Sequence, residues 1–147
     1  MEDLFRVRKG IIDTEVGYLG GENENPSYKY HPGHAEGIEL TYDAKETSFK
    51  SILDYFFRIH NPTTLDQQGN DRGSSYRSAI FIQNEEEKQT AIEMIQMVEE
   101  SGRWDGKVVT TLEPYTKFWP AEPEHQDYLL RIPNGYTCHF ERFGSFI

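Results

Sequence analysis

Apolar and polar positions along the chain fall into runs of two periods. From Ile11 to Tyr18 the sequence alternates imperfectly and ends in Gly20-Gly21, which predicts a strand closed by a turn. Residues 37–43 alternate cleanly, with Ile38, Leu40 and Tyr42 on one face and Glu39 and Thr41 on the other, the pattern of a half-buried strand. The period then lengthens to that of a helix: Ser48 supplies a cap, Phe49, Ile52, Leu53, Phe56, Phe57 and Ile59 follow at helical spacing, and Asn61-Pro62 ends the element. Arg77–Gln83 reads as a further strand. Asn84 caps the longest helix, which runs through Glu100 with Ala91, Ile92, Ile95 and Val98 as its buried stripe and an acidic outer face, until Ser101-Gly102 stops it. Val108–Leu112 predicts a strand and Glu122–Arg131 a short helix, followed by an aromatic tail expected to pack across the surface or lie loose.

Two long stretches carry neither period: Glu22–Pro32, rich in Asn, Glu, Pro and Tyr, and Thr63–Ser75, polar and glycine-bearing. Such loops in a compact domain are functional or mobile, and Tyr18, Tyr28 and Tyr30 favour function for the first. Strands alternating with helices, without repeat or linker, predict one α/β (α+β) domain over residues 1–147. Its small central sheet is expected to be mixed, because the connections differ in length, and to be flanked by helices with much coil.

Composition narrows the class. Aromatic residues make up 14% of the chain, so large rings must supply much of the core. Twenty-five acidic residues against 15 basic give a net charge of −10, which argues against a nucleic-acid partner, because a duplex-binding face needs clustered Lys and Arg. No apolar run is long enough to span a membrane, and Met1-Glu2-Asp3 is acidic where a signal peptide is basic; the expectation is a cytoplasmic protein with no membrane contact. The single cysteine, Cys138, forms no intrachain disulfide and is too few for a cysteine-based zinc site; it is either an incidental thiol or a redox group.

Polar chemistry gathers in the two loops: Tyr28, His31, His34 and Glu36 around the first, and Asp66, Asn70, Asp71 and Tyr76 around the second. Each loop precedes or joins a strand, so a rigid scaffold can bring both to one cleft. His31, His34 and Glu36 have the donor types of a catalytic zinc shell, but the Pro32-Gly33 turn between the histidines sets them apart; the alternative is that His34 bonds backbone and fixes the turn. Glu36 is either a solvated strand-end carboxylate, the reading its neighbours alone favour, or an acid buried against tyrosine rings whose raised pKa makes it a proton donor. Trp119, with Phe118 and Pro120, lines a pocket or closes the core, and core is favoured.

Six strings in order along the chain resemble the peptide methionine sulfoxide reductase A family: Gly17-Tyr18-Leu19-Gly20-Gly21, Asn25-Pro26-Ser27-Tyr28, Gly33-His34-Ala35-Glu36, Gln68-Gly69-Asn70-Asp71, Tyr76-Arg77-Ser78-Ala79-Ile80, and Pro120-Ala121-Glu122 with His125-Gln126. The resemblance implies a small mixed sheet with flanking helices and much coil. It implies reduction of methionine-S-sulfoxide, free or in proteins, to methionine, with thioredoxin as reductant and no cofactor or metal. It makes Tyr28 and Tyr76 hydroxyl donors to the sulfoxide oxygen, Glu36 the acid that protonates it, and Asp71 the carboxylate that orders water and substrate. Cys138 resembles the recycling cysteine of some members, on a tail that is usually mobile and not positioned against the acid.

The family's nucleophile lies in a Gly-Cys-Phe-Trp motif immediately before a segment that resembles Met1-Glu2-Asp3-Leu4-Phe5, at a helix start. That motif is missing here. Either a segment ahead of Met1 has been cut or its start placed too late, or the chain is a relative without a nucleophile; retention of the whole acid-and-donor set favours the first. Three readings follow: a methionine sulfoxide reductase whose present form is inactive; a non-catalytic module that binds oxidised methionine or another small polar ligand through Tyr28, Glu36 and Tyr76; and a metalloprotein using His31, His34 and Glu36.

Overall fold

In the computed structural model, which describes residues 1–147, a short helix α1 (Glu2–Arg6) leads into strand β1 (Ile11–Leu19), which pairs antiparallel with β2 (Ala35–Tyr42). The register sets Val16 opposite Ile38 and Tyr18 opposite Glu36. A two-residue strand, Trp119–Pro120 (β7 in chain order), joins the other edge of β1 beside Gly17 and Tyr18, so the sheet order is β2-β1-β7. Gly17 is needed there: any side chain would run into the Phe118 ring and the Trp119 carbonyl. Phe118 closes the core, while Trp119 is half-buried under the Lys117 ammonium.

Helix α2 (Phe49–Ile59) starts where Ser48 Oγ accepts the Ser51 N–H at 3.1 Å. After α2 the chain makes a miniature hairpin of β3 (Gln67–Gln68) and β4 (Asp71–Arg72), turned by Gly69 at φ 58°, and a 3-10 turn over Ser74–Tyr76. The second expected loop is therefore built, not loose: buried Gln68 exchanges hydrogen bonds with the Asn61 backbone at 2.9 and 3.0 Å.

Strand β5 (Ala79–Ile82) leads to α3 (Glu85–Glu100), whose first turn is capped by Asn84 Oδ1 accepting the Glu87 N–H at 2.8 Å. The buried stripe of α3 is Ala91, Met94 and Val98; the expected Ile92 is 42% exposed. Positions 91, 94 and 98 stack on the side turned to α2 and β5, and Ile92 stands about 100° round from Ala91. Leu53, Phe57, Ile80, Ala91, Met94 and Val98 form the main core, each large member stabilising the fold by roughly 1.5–3 kcal/mol. Phe5, Tyr55 and Ile59 form a second cluster that seats α1.

Strand β6 (Thr111–Pro114) pairs parallel with β5. It begins three residues later than the sequence predicts, because the Val109 N–H is committed to the Pro62 carbonyl at 2.8 Å. The expected helix Glu122–Arg131 is broken into a 3-10 turn, Pro123–His125, and α4 (Tyr128–Arg131), since Asp127 adopts a left-handed φ of 51°. That strained residue is held by its N–H to Glu2 at 2.9 Å and its carboxylate on Arg6 at 3.0 Å. The fold class is the expected α/β one. Antiparallel and parallel pairs are both present, distributed over three small sheets. No helix is long and apolar enough to cross a membrane.

The aromatic tail packs instead of lying loose. Phe143 sits edge-on to Trp104 at 5.3 Å, the Phe146 N–H donates to Asp54 at 2.7 Å, and the Arg142 N–H donates to the Arg58 carbonyl at 2.8 Å.

Candidate active site

The first residues of β2, the two loops and the tail meet at one end of a largely apolar cavity of about 520 Å³. Glu36, Tyr28, Tyr76, Asp71 and Cys138 all line it, so every residue singled out by the resemblance is at one place. Asp66 and Asn70, singled out by composition alone, are exposed and lie outside it, as does Tyr30.

Glu36 is half-buried, and desolvation raises its carboxyl above the ordinary range; His31 and His125 pull it back, while Asp71 and Glu122 push it further up. The buried-acid reading of Glu36 thus prevails over the solvated one. Tyr76 leaves the 3-10 turn with its phenol pushed up to about 12, first by burial, then by the charge of Glu36 and by the neighbouring Tyr28. The Tyr76 phenol therefore stays a protonated donor at neutral pH. Asp71 leaves β4 with one oxygen 3.5 Å from the Tyr136 hydroxyl.

Tyr28 is about half exposed, and its place is fixed through its backbone: its N–H donates to Glu122 Oε2 at 2.9 Å. The other Glu122 oxygen accepts from the buried Tyr18 hydroxyl, also at 2.9 Å. Tyr18 stacks on His31 at 4.8 Å, and His31 Nε2 bonds the Ser75 hydroxyl at 2.8 Å, one residue before Tyr76. One chain of contacts therefore ties the two loops, β1 and the Pro120-Ala121-Glu122 segment together. Glu122, His125 and Ser75 were not among the sequence candidates. Glu122 lay hidden in an expected helix, although it belongs to a string that carries the resemblance.

The zinc-shell reading of His31, His34 and Glu36 fails on the histidines. His34 is buried, with Nδ1 accepting the Gly21 N–H at 3.1 Å and Nε2 donating to the Asn23 carbonyl at 2.9 Å, so it fixes the turn. His31 spends its nitrogens on the Ser27 carbonyl at 2.7 Å and on Ser75. The metal-type side chains that do approach one another are Glu122, Glu124 and His125, of which Glu122 is already occupied by Tyr18 and Tyr28.

Cys138 stands at the cavity, its sulfur 3.8 Å from Asp71 Oδ2 and 3.7 Å from His139 Nδ1. Burial, and then the Asp71 charge, push its thiol pKa up, so it is held as the thiol rather than the attacking thiolate. Met1 lines the same cavity, and its amino group is buried there with its pKa lowered, within the field of Cys138. Chemically, the site gathers two phenol hydroxyls and a carboxyl whose pKa is raised by burial, with Asp71 beside them and an apolar wall beyond.

Residues 1–144 match the family model described as peptide methionine sulfoxide reductase. The chain is 56% identical over 142 residues to peptide methionine sulfoxide reductase MsrA of Nocardia farcinica, covering 97% of this chain and 84% of that protein. It is 58% identical over 142 residues to MsrA 2 of Rhodopirellula baltica, with the same two coverages. Among solved structures it is similar to the reduced form of Mxr1 from Saccharomyces cerevisiae, at TM-score 0.83 and 34% identity, covering 91% of this chain and 80% of that one. Methionine sulfoxide reductase A of Corynebacterium diphtheriae is also similar, at TM-score 0.79 and 30% identity, covering 92% and 71%. A site built from all six sequence strings, a matching fold and a match over nearly the whole length lead to one conclusion: the chain belongs to the peptide methionine sulfoxide reductase family.

Proposed function

We propose that residues 1–147 form the binding and acid-donating domain of a methionine-S-sulfoxide reductase that repairs oxidised proteins in the cytoplasm. The observation that carries this is the Glu36 carboxyl, its pKa raised by burial, lining one cavity together with Tyr28 and Tyr76. The three donors hold the sulfoxide oxygen, and Asp71 orders water and the substrate. As a thiolate attacks the sulfoxide sulfur, Glu36 gives its proton to the departing oxygen. An S–S bond forms as the S–O bond breaks and the oxygen leaves as water; water then attacks the cysteine sulfur, breaking the S–S bond, so that methionine leaves, a proton is released and the cysteine is left as a sulfenic acid. Cys138 then condenses with that sulfenic acid, expelling water and leaving a disulfide that thioredoxin reduces by exchange.

Cys138, the one thiol of residues 1–147, has its pKa raised and is held as the thiol, so the attacking thiolate is supplied from outside these residues. The test is reduction of a methionine-S-sulfoxide peptide with dithiothreitol, by this chain and by one extended with Gly-Cys-Phe-Trp. Turnover by the extended chain alone is the expected result. Turnover by the present chain would make Cys138 the nucleophile, and silence in both would leave a second reading, a module that binds oxidised methionine without reducing it. That second reading is favoured by one fact, the lack of a second cysteine, and a cysteine codon just upstream of Met1 would remove its support.

A further inference from the structure

We propose that Asp54 and Arg58, one turn apart on α2, are positioning residues for Cys138: they buckle the end of the tail to the helix, so that the thiol rides on a short arch fixed at both ends and not on a free arm. The arch rests on the contacts of the tail alone, and the use made of Cys138 rests on the reductase reading.

A buried carboxylate costs free energy unless its oxygens are bonded, and Asp54 is 4% exposed. One of its oxygens accepts the Phe146 N–H at 2.7 Å and the other the Ser145 hydroxyl at 3.2 Å. Arg58 follows four residues later, its guanidinium 3.8 Å from the same carboxylate. Its Nε donates to the Phe143 carbonyl at 3.0 Å, its fork pairs with Glu141, and its own carbonyl accepts the Arg142 N–H at 2.8 Å. Apolar packing closes the buckle. Phe146 lies against the main core, and Arg103 covers its ring at 4.4 Å while donating to the Gly144 and Ser145 carbonyls at 2.7 and 3.1 Å. Neither Asp54 nor Arg58 lines the cavity.

The other post is the turn after α4. The Gly135 N–H donates to the Ile132 carbonyl at 2.9 Å, and Gly135 lies so near the Tyr128 ring that a β-carbon there would come within 2.6 Å of it. Between the posts, Tyr136 and Phe140 are both 58% exposed, and the bonds to Asp71 are long, 3.5 Å from the Tyr136 hydroxyl and 3.8 Å from the Cys138 sulfur. This stretch is tied to itself and to the buckle: the Thr137 hydroxyl accepts the His139 N–H at 3.1 Å, and Arg142 donates to the Cys138 and Phe140 carbonyls at 3.4 and 3.1 Å. Segments open where their bonds to the body are weakest, so the arch lifts while the buckle holds. Cys138 lies three residues from either post, Gly135 or Glu141, a reach of about 10 Å along an extended chain. So short a tether keeps the thiol at high local concentration beside the cavity. There it attacks the sulfur of a sulfenic acid: an S–S bond forms, the S–OH bond breaks, and the oxygen leaves as water with the thiol proton.

The first measurement is alkylation of Cys138 by iodoacetamide at a single pH, in the parent chain, in Asp54→Asn and in a chain lacking residues 143–147, each shown to melt cooperatively. Asn84→Ala, which loses a cap at the far end of α3, is the control. Expected is alkylation roughly tenfold faster in the two buckle variants, the factor that one lost hydrogen bond to a charged group implies, and unchanged in the control. Equal rates in the parent and the buckle variants would overturn the arch. So would an equal gain in the control, since the opening would then be global. The second measurement uses chains extended by Gly-Cys-Phe-Trp and one equivalent of methionine-S-sulfoxide peptide without reductant. Methionine release is expected to be the same with and without Asp54→Asn, while loss of the two thiols to the disulfide slows roughly tenfold. Thiol loss at the parent's rate would overturn the positioning role. No methionine release by the extended parent would sink the reductase reading and leave the alkylation rates to decide the arch.

Discussion

At Glu36, the burial that suits proton donation also costs stability. A carboxyl whose folded pKa is raised binds its proton more tightly in the native state, so its contribution to stability falls as pH rises through the ordinary carboxylate range toward the folded value. Glu36→Gln keeps the shape of the protonated acid and cannot ionise. Its melting temperature is expected to gain on the parent as pH rises from about 4 to about 8, and a gap that does not change with pH would contradict the buried-acid assignment. In the nucleophile-bearing chain the same change is expected to lower kcat by roughly 10²–10⁴. Glu122→Gln tests the support beneath the donors. One of the oxygens that accept from Tyr18 and Tyr28 becomes an N–H donor facing another donor, for an expected loss of about 1–2 kcal/mol in urea unfolding. A loss within error would mean that Tyr28 is placed by its loop alone.

At the scale of elements, the two long helices were legible because their signals are local: a capping side chain, a 3.6-residue stripe and a stop within a few residues. Asn84→Ala is accordingly expected to cost about 1 kcal/mol, read from the urea midpoint. What sequence misplaced depends on distant partners. The late start of β6 follows from a bond to Pro62, and the break before α4 from Glu2 and Arg6 holding Asp127. His60, at the end of α2, joins that helix to β5: its Nδ1 donates to the Phe56 carbonyl at 2.6 Å and its Nε2 bonds Ser78 at 2.8 Å. Burial lowers its pKa to about 4. A depressed histidine pKa means that stability is full above the unfolded value of 6.5 and is lost as pH falls toward 4, a loss on the order of 3 kcal/mol. His60 ring resonances that titrate near 6.5 would refute this, and His60→Gln is expected to flatten the acid limb of the stability curve.

For the whole molecule, the site was legible only as a set. Tyr28, Glu36, Asp71 and Tyr76 are ordinary loop and strand-end residues one by one, and the six ordered strings gave them weight together. Their supports escaped because the partners lie far apart in sequence: Glu122 is 94 residues from Tyr28 and 104 from Tyr18. The split of the sheet escaped for the same reason, since alternation predicts a strand but says nothing of which neighbour it lacks. The position of Cys138 carries a practical corollary. As the chain's single thiol, lying beside Asp71 at the cavity, it is a built-in reporter needing no engineering. Alkylation by iodoacetamide is expected to be slow in the native protein and fast in urea, because the thiol is half-buried and its pKa is raised. A fluorophore attached there would signal each departure of the tail, and the labelling rate would time how often Cys138 leaves its half-buried place.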